Sequence, residues 1–476
     1  MRATDDFGQV LVISGGSGYN DLINATDSAI FVLPGGPSLG DIRARLVRLA
    51  RLAATREKSS RNLEQPGSRE ALYTLLSYRL PVSGPMREIK QEWMDIIEGK
   101  HRLWRGIDAE KRDEILHRAH RNFNFRGGSI GNFFLAAMQR FFRSIQSAIF
   151  FFSALTDIQS AIKNCDVLPA INTNKTTTIA ARLADGTQLV GQCEISHPSI
   201  DLTLKKRDCI NSVAPTRRPS FELQDSVFEF GTHNGYASRH AADVSAPPPA
   251  SARTESSAHS MNDSDFSDDV EDMEEGIPMS LNDVGESLGN ILYGSKEDSV
   301  PLSAPIDRLF YVNSYRNEVF PAPNPSYLTG LRRSNLLIYS CGSLWTSIIP
   351  CLILRGVPNA IARSPSLKYK VLLLNSEHDR ETYGLHALDF VNIIHRSLTQ
   401  LHTMDFPNEK FLFTPSDFVT HVIYVRGSAV QPSVSELKQL GIQCIGVESC
   451  CDARIRLGET QLRNALYQIV HQKGTS

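Results

Sequence analysis

Residues 32–50, VLPGGPSLGDIRARLVRLA, run from the end of an apolar strand through Gly35-Gly36 into an amphipathic helix within a few residues. A strand whose C-terminal end feeds a helix N-terminus is the building unit of an α/β sheet, and the positive end of such a helix suits a phosphate. Asp41 heads the helix, where a carboxylate either caps the first turn or serves as a metal or catalytic group. Arg43, Arg45, Arg48 and Arg51 follow on the same helix. They read as a solvated face, with Arg43 and Arg45 within reach of a phosphate.

The same strand, glycine, helix grammar recurs on both sides. VLVISGGSGYNDL (10–22) places Gly15, Gly16, Ser17 and Gly18 after the first strand, where converging backbone N–H groups can hold an anion, although the spacing is not GxGxxG. NLLIYSCGSLWTSIIP (335–350) repeats the pattern with Gly342 and Ser343, then Thr346 and Ser347 in the first helical turns. Two such loops in one sheet favour phosphate or nucleotide binding over plain turns, because strand C-terminal ends line one crevice. NFRGGSIGNFFL (124–135) adds Gly127, Gly128 and Gly131 with Ser129 and Asn132 at a helix start, read equally as an N-cap or a ligand contact. Asn172 and Asn174 in LPAINTNKT read as Asx turns ahead of base or sugar recognition.

Further strands are expected at IDRLFYVN, KYKVLLLN, FVTHVIYV and QCIGVE, with helices between most of them and a closing helix from Gly458 to about Val470. The class this predicts is α/β, a doubly wound, Rossmann-like, mostly parallel sheet with helices on both faces. TTTIAARLADGTQLVGQCEI (176–195) adds a β-hairpin, with Asp185-Gly186 suited to a type I′ turn. IGNFFLAAMQRFFRSIQSAIFFFSAL (130–155) is long and greasy, but Arg140 and Arg143 in its middle argue against a membrane span. It reads as two core helices: Ile130, Phe133, Phe134, Ala137 and Phe141 share one face, and Ser144 caps the second helix.

Residues 201–303 break the pattern. SAPPPASARTESSAHS and NDSDFSDDVEDMEE lack the apolar content to order themselves, so the expected organisation is 1–200 and 304–476 as two parts of one domain around an insertion. Ser220 in RRPSFE, and Ser264 and Ser267 ahead of acidic residues, make kinases expected partners of this segment. A chain of 476 residues, 41% hydrophobic with a net charge of −2, gives no global reason to bind nucleic acid or an anionic membrane. The eight cysteines have no CxxC pair and read as reduced, mostly buried thiols. The first residues, MRATDDFGQ, show no secretory pattern, and a cytoplasmic location is the expectation. GxSxG, HExxH and GxxxxGK[ST] are absent, and His197, His378 and His421 read as ordinary surface or satisfied residues. Glu381 and Thr382 sit in a loop before the helix that carries Asp389, in ETYGLHALDFVNIIH.

GGSG, GDIRARLVRLA, GGSIGNFFLAA, VLPAINTN, LADGTQLVGQCEISH, CGSLWTSIIPCLI and ETYGLHALDFV together resemble, in order, the CofD/YvcK-like family. That family includes the 2-phospho-L-lactate transferases of deazaflavin coenzyme biosynthesis and bacterial gluconeogenesis factors that bind nucleotide sugars. The resemblance implies one cleft for a nucleotide diphosphate or nucleotide sugar, with Mg²⁺ assisting transfer from a guanylyl diphospho-lactate donor to an alcohol; the alternative is a non-catalytic nucleotide-sugar-binding regulator. Carried over by match are Gly15, Gly16, Gly18, Asp41, Arg43, Gly128, Ser129, Asn132, Gly342, Ser343, Leu344, Thr346, Ser347 and Asp389. Asp41 and Asp389 would be catalytic, Asp41 the metal ligand, and a homodimer is a further expectation. The chain departs from the family where an acidic D-D/N-G-G-S-S loop should precede the GDxR helix, since Pro34 runs straight into GGPSLGDIR. It also has Ser340-Cys341 where relatives carry glycine and proline, and Leu385 where tyrosine is common. The missing loop would carry the acids best suited to Mg²⁺, so weak catalysis is expected.

Overall fold

A computed structural model describes residues 7–16, 18–26, 29–35, 39–61, 67–107, 125–162, 165–173, 177–197, 300–408, 413–451 and 454–471. Ser17, Gly36, Asn174 and the insertion up to residue 299, with Ser220, Ser264 and Ser267, lie outside the described residues. In chain order the strands are β1 (Val10–Ile13), β2 (Ile30–Leu33), β3 (Asp166–Pro169), β4 (Thr178–Leu183), β5 (Gln188–Val190), β6 (Ile306–Val312), β7 (Glu318–Val319), β8 (Leu336–Tyr339), β9 (Tyr369–Leu373), β10 (His421–Val425) and β11 (Gln443–Val447). The helices are α1 (Leu39–Arg61), α2 (Ser68–Ser77), α3 (Met86–Ile97), α4 (Ile130–Phe142), α5 (Ile145–Leu155), α6 (Ile158–Ala161), α7 (Gln192–Ser196), α8 (Pro325–Arg333), α9 (Ile349–Leu352), α10 (Val357–Ala362), α11 (Ala387–Asp405), α12 (Pro415–Phe418), α13 (Val434–Gln439) and α14 (Glu459–His471).

Seven strands form a parallel sheet in the order β11-β10-β9-β8-β1-β2-β3. VLVI, IFVL and LLIY, the strands β1, β2 and β8, are buried at every residue, as continuous apolar runs must be when helices cover both faces. Alternation along the strands divides the core in two. Leu11, Ile13, Val32, Leu337 and Tyr339 join α8 to α11 on one face, while Val10, Val12, Phe31, Leu33 and Ile338 join α1, α4, α5 and α14 on the other. A smaller cluster holds α3, where Trp93 stacks on Phe125 at 5.3 Å and meets Phe133 edge-on at 4.8 Å.

Several expectations are corrected. IDRLFYVN forms β6, but in a separate antiparallel sheet ordered β5-β4-β6-β7. Ile306, Leu309, Tyr311 and Val312 are buried while Asp307, Arg308 and Phe310 are less so, a mixed pattern that suits a sheet with one covered face better than a continuously apolar run would. The hairpin forms as expected, but Gly186 alone takes positive φ (+88°) and Leu183 pairs with Thr187 around a three-residue loop, so the turn is not type I′. Ser144 does cap α5, its hydroxyl accepting from the Ser147 N–H at 3.2 Å. Phe141 is not a core residue; it is 76% exposed in the last turn of α4, which overhangs the core before Arg143 ends it in the left-handed region. Cys165 and Cys351 are buried, but Cys450 and Cys451 are exposed. No helix among the described residues is long and apolar enough to cross a membrane.

Candidate functional site

β1 and β8 lie side by side in mid-sheet, and the chain leaves them in opposite directions, β1 towards β2 and β8 towards β9. This is the topological switch point, where loops diverge and open a crevice at the strands' C-terminal ends. Both glycine loops begin there. They touch: the Cys341 thiol donates to the Gly18 carbonyl at 3.3 Å, and a Cβ on Gly18 would collide with the Cys341 carbonyl. Gly16 passes the first turn of α1 so closely that a Cβ would stand 2.7 Å from the Asp41 Cα. Gly15 packs on the Ser347 side chain. Gly35, at φ +85°, turns the chain against Pro169 and Ile171 at the end of β3.

The first loop rests on a buried cation. Arg45, expected on a solvated face, is fully buried. Its guanidinium donates to the Ser14 hydroxyl at 3.0 Å and the Gly15 carbonyl at 3.4 Å, and lies 4.8 Å over the Phe31 ring. Burial pulls its pKa down to about 10, which leaves it protonated at neutral pH. Arg45 Nε and Nη1 have no hydrogen-bond partner among the described residues. The sequence pattern misled because the arginines step round a long helix, and only the third dimension shows that Arg45 turns under the loop.

Beside it, Arg43 and Arg79 bring two positive charges together, and burial and the Arg79 charge lower the Arg43 pKa. Arg43 Nε is buried without a partner among the described residues, and the Arg43 stem packs on Gly131. Arg79 donates to the Gly127 carbonyl at 3.2 Å, and its backbone bridges Ser129. Arg79 was not singled out by the sequence, for lack of a glycine or helix signal around it. Ser129 caps α4 by accepting from the Asn132 N–H at 3.4 Å, so this part of GGSIGN is structural, while Asn132 Oδ1 has no partner among the described residues.

The second loop rests on a buried carboxylate. Glu381 accepts from Ser196 Oγ at 2.6 Å, from Thr346 Oγ1 at 2.8 Å, from the Thr346 N–H at 3.1 Å and from Ser343 Oγ. Burial, reinforced by the Asp379 charge, pushes its pKa up. These bonds tie the π-helical turn Leu344–Ile348, capped by Ser343, to α7 of the small sheet. Thr346 and Ser347, assigned to phosphate by pattern, are buried: Thr346 spends its N–H and hydroxyl on Glu381, and Leu344 is core. Gly342, at φ +152°, is held by Asn375 at the end of β9, which accepts from its N–H and donates to its carbonyl, both at 2.8 Å. Asp389 stands apart, closing a capping box at the start of α11 through the His386 N–H at 2.7 Å.

Asp41 is half-buried at the crevice. Among the described residues no three His, Cys, Asp or Glu side chains gather as metal ligands, so these residues do not by themselves fit a resident Mg²⁺.

The chain is 28% identical over 445 residues to the uncharacterized protein YNL011C of Saccharomyces cerevisiae, covering 89% of this chain and 86% of that one. It is 33% identical over 107 residues, 22% of this chain and 29% of the other, to the "Putative gluconeogenesis factor" of Thermotoga maritima. The solved structure of the Bacillus halodurans protein BH3568 aligns over 96% of this chain and 98% of that one at 15% identity, with a TM-score of 0.45. The sequence model of 2-phospho-L-lactate transferase CofD matches residues 10–445, and the chain therefore belongs to the CofD family.

Proposed function

We propose that the switch-point crevice binds the diphosphate of a nucleotide donor and that the chain transfers a phospholactyl-type group from it to an alcohol. The observation that carries this reading is positive charge with unpartnered guanidinium nitrogens: Arg45 buried beneath the first of the two touching glycine loops, and Arg43 beside Arg79 against the Gly127–Gly131 segment. Burying the Arg45 guanidinium with two unpartnered nitrogens, and holding the half-buried Arg43 against the charge of Arg79, is costly unless an anion offsets the charge. In the proposed reaction the acceptor oxygen attacks the lactate-bearing phosphorus of a guanylyl diphospho-lactate. The P–O–P bond breaks, guanosine monophosphate leaves, and the acceptor proton passes to solvent or to a carboxylate at the crevice, for which Asp41 is the candidate. The chain's contribution is positioning and neutralisation of charge on the transferring group.

One observation favours a second reading, a nucleotide-sugar-binding regulator. Asp41 lies beside Gly16 of the first glycine loop without a cluster of metal-ligating side chains among the described residues, and the acidic loop expected before it is replaced by Gly35-Gly36-Pro37. Binding needs only the loops and cations. A thermal-shift series with GDP, UDP and UDP-sugars, with and without Mg²⁺, tests both: a diphosphate at a hundred times its Kd should add about 2.7 kcal/mol. Release of guanosine monophosphate from the donor in the presence of a deazaflavin alcohol then separates them. No shift with any diphosphate at millimolar concentration overturns both readings.

A further inference from the structure

Beyond β11, where the chain turns back towards α14, Cys450 and Cys451 stand next to each other and both are exposed. Their sulfurs are 3.7 Å apart. The segment carrying them is fixed at several points. The Cys450 N–H donates to the Arg456 carbonyl at 3.0 Å, Ser449 Oγ bonds the Cys451 carbonyl at 2.8 Å, and Cys450 Cβ packs on Gly458. Further on, Arg454 makes a two-point ion pair with Glu377, at 3.1 and 3.0 Å. Two thiols on a tethered backbone, each open to solvent and each other's nearest sulfur, are a different object from the scattered cysteines of the core.

We propose that Cys450 and Cys451 form a redox modification site, a vicinal dithiol that small disulfides oxidise reversibly to an eight-membered disulfide ring. The thiolate of one cysteine attacks a sulfur of a disulfide RSSR, giving a mixed disulfide and releasing RS⁻. The neighbouring thiolate then attacks the protein sulfur of that mixed disulfide, forming the Cys450–Cys451 bond and releasing the second RS⁻. Two electrons pass from the protein thiols to RSSR, and the two thiol protons end on the two RSH. Burial and the Cys451 sulfur raise the Cys450 pKa, which disfavours the Cys450 thiolate until its neighbour has reacted. Adjacent Cα atoms are held about 3.8 Å apart, short of the usual span of about 4.4–6.8 Å for bridged cysteines, so the ring is strained and easily reduced. That places it with labile, responsive disulfides and not with structural ones.

The test uses the full chain treated with graded oxidised glutathione, followed by peptide mass mapping. The expected product is a peptide spanning both cysteines that has lost two hydrogens and carries no glutathione, and that dithiothreitol restores. Cys450→Ser and Cys451→Ser should each stop at a glutathione adduct on the surviving thiol. Phenylarsine oxide, which bridges paired thiols, should protect the wild-type peptide from alkylation and protect neither variant. If the wild-type chain instead accumulates glutathione adducts to the same extent as the single variants, or if phenylarsine oxide protects the variants equally, the proposal is overturned.

Discussion

The two glycine loops at the switch point look alike in sequence and are supported by opposite charges. The loop after β1 rests on Arg45, a buried cation that donates to Ser14 and Gly15. The loop after β8 rests on Glu381, a buried carboxylate that accepts from Ser343, Thr346 and Ser196. The consequence is a division of labour. A cation beneath a loop leaves positive potential for an anionic ligand, whereas a carboxylate there consumes hydroxyl and N–H donors and fixes the loop's shape. A glycine, serine and helix pattern therefore marks a tight turn at a strand end, and the charge beneath decides what the turn can hold.

The largest effect should come from removing the carboxylate. Glu381→Ala leaves the donors of Ser196, Ser343 and Thr346 buried without an acceptor, and should cost about 3 kcal/mol or more in denaturant unfolding. Glu381→Gln should cost far less, because an amide can satisfy the same hydroxyls once they rotate. Since the folded-state pKa of Glu381 is raised, its contribution to stability is full below the unfolded-state pKa and declines as pH rises through the folded value. The Gln variant should lose that slope, and an unchanged pH profile would contradict the charge assignment.

Gly18→Ala comes next, since its Cβ meets the Cys341 backbone, which cannot swing away as a side chain would. It should cost about 1–3 kcal/mol and remove nucleotide stabilisation in the same melt. Arg45→Met sharpens the comparison further by separating folding from binding. Replacing a buried charge by an apolar side chain of similar volume is often neutral for stability, so the variant should melt near the wild type yet bind diphosphates about tenfold more weakly, some 1.4 kcal/mol. Weaker folding with unchanged affinity would mean that Arg45 is only a brace. The smallest effect belongs to Asp389→Asn, which should weaken the α11 cap by about 0.5–1 kcal/mol and leave turnover intact. A collapse of turnover without a change in melting would return Asp389 to the chemistry.

Much of the fold was legible in the sequence. The central strands are unbroken apolar runs ending in glycine, and the greasy stretch shows both its helical period and the Ser144 cap. β3 was missed because Asp166 opens it and only its partner β2 makes a strand of so short a run. Of the site, the glycines and Asp41 could be read, because close backbone approach demands glycine at positions such as Gly16 and Gly18. Arg79, Asn375 and the role of Glu381 could not. Each acts on a loop distant in sequence, and nothing local to YRL, LLLN or ETYG announces the contact.

The sequence by itself thus determined that this chain alternates strand and helix, that two glycine turns end two of its strands, and that its ordered motifs match the CofD family. Tertiary structure alone decided that the two turns meet at the switch point, that Arg45 lies buried while Arg43, Arg48 and Arg51 of the same helix stay less buried, and that Thr346 is spent on Glu381. Local elements follow from hydrophobic period and backbone sterics, which are short-range. The charge that supports each loop is supplied from far along the chain, and its burial and partners exist only once the sheet has brought those segments together.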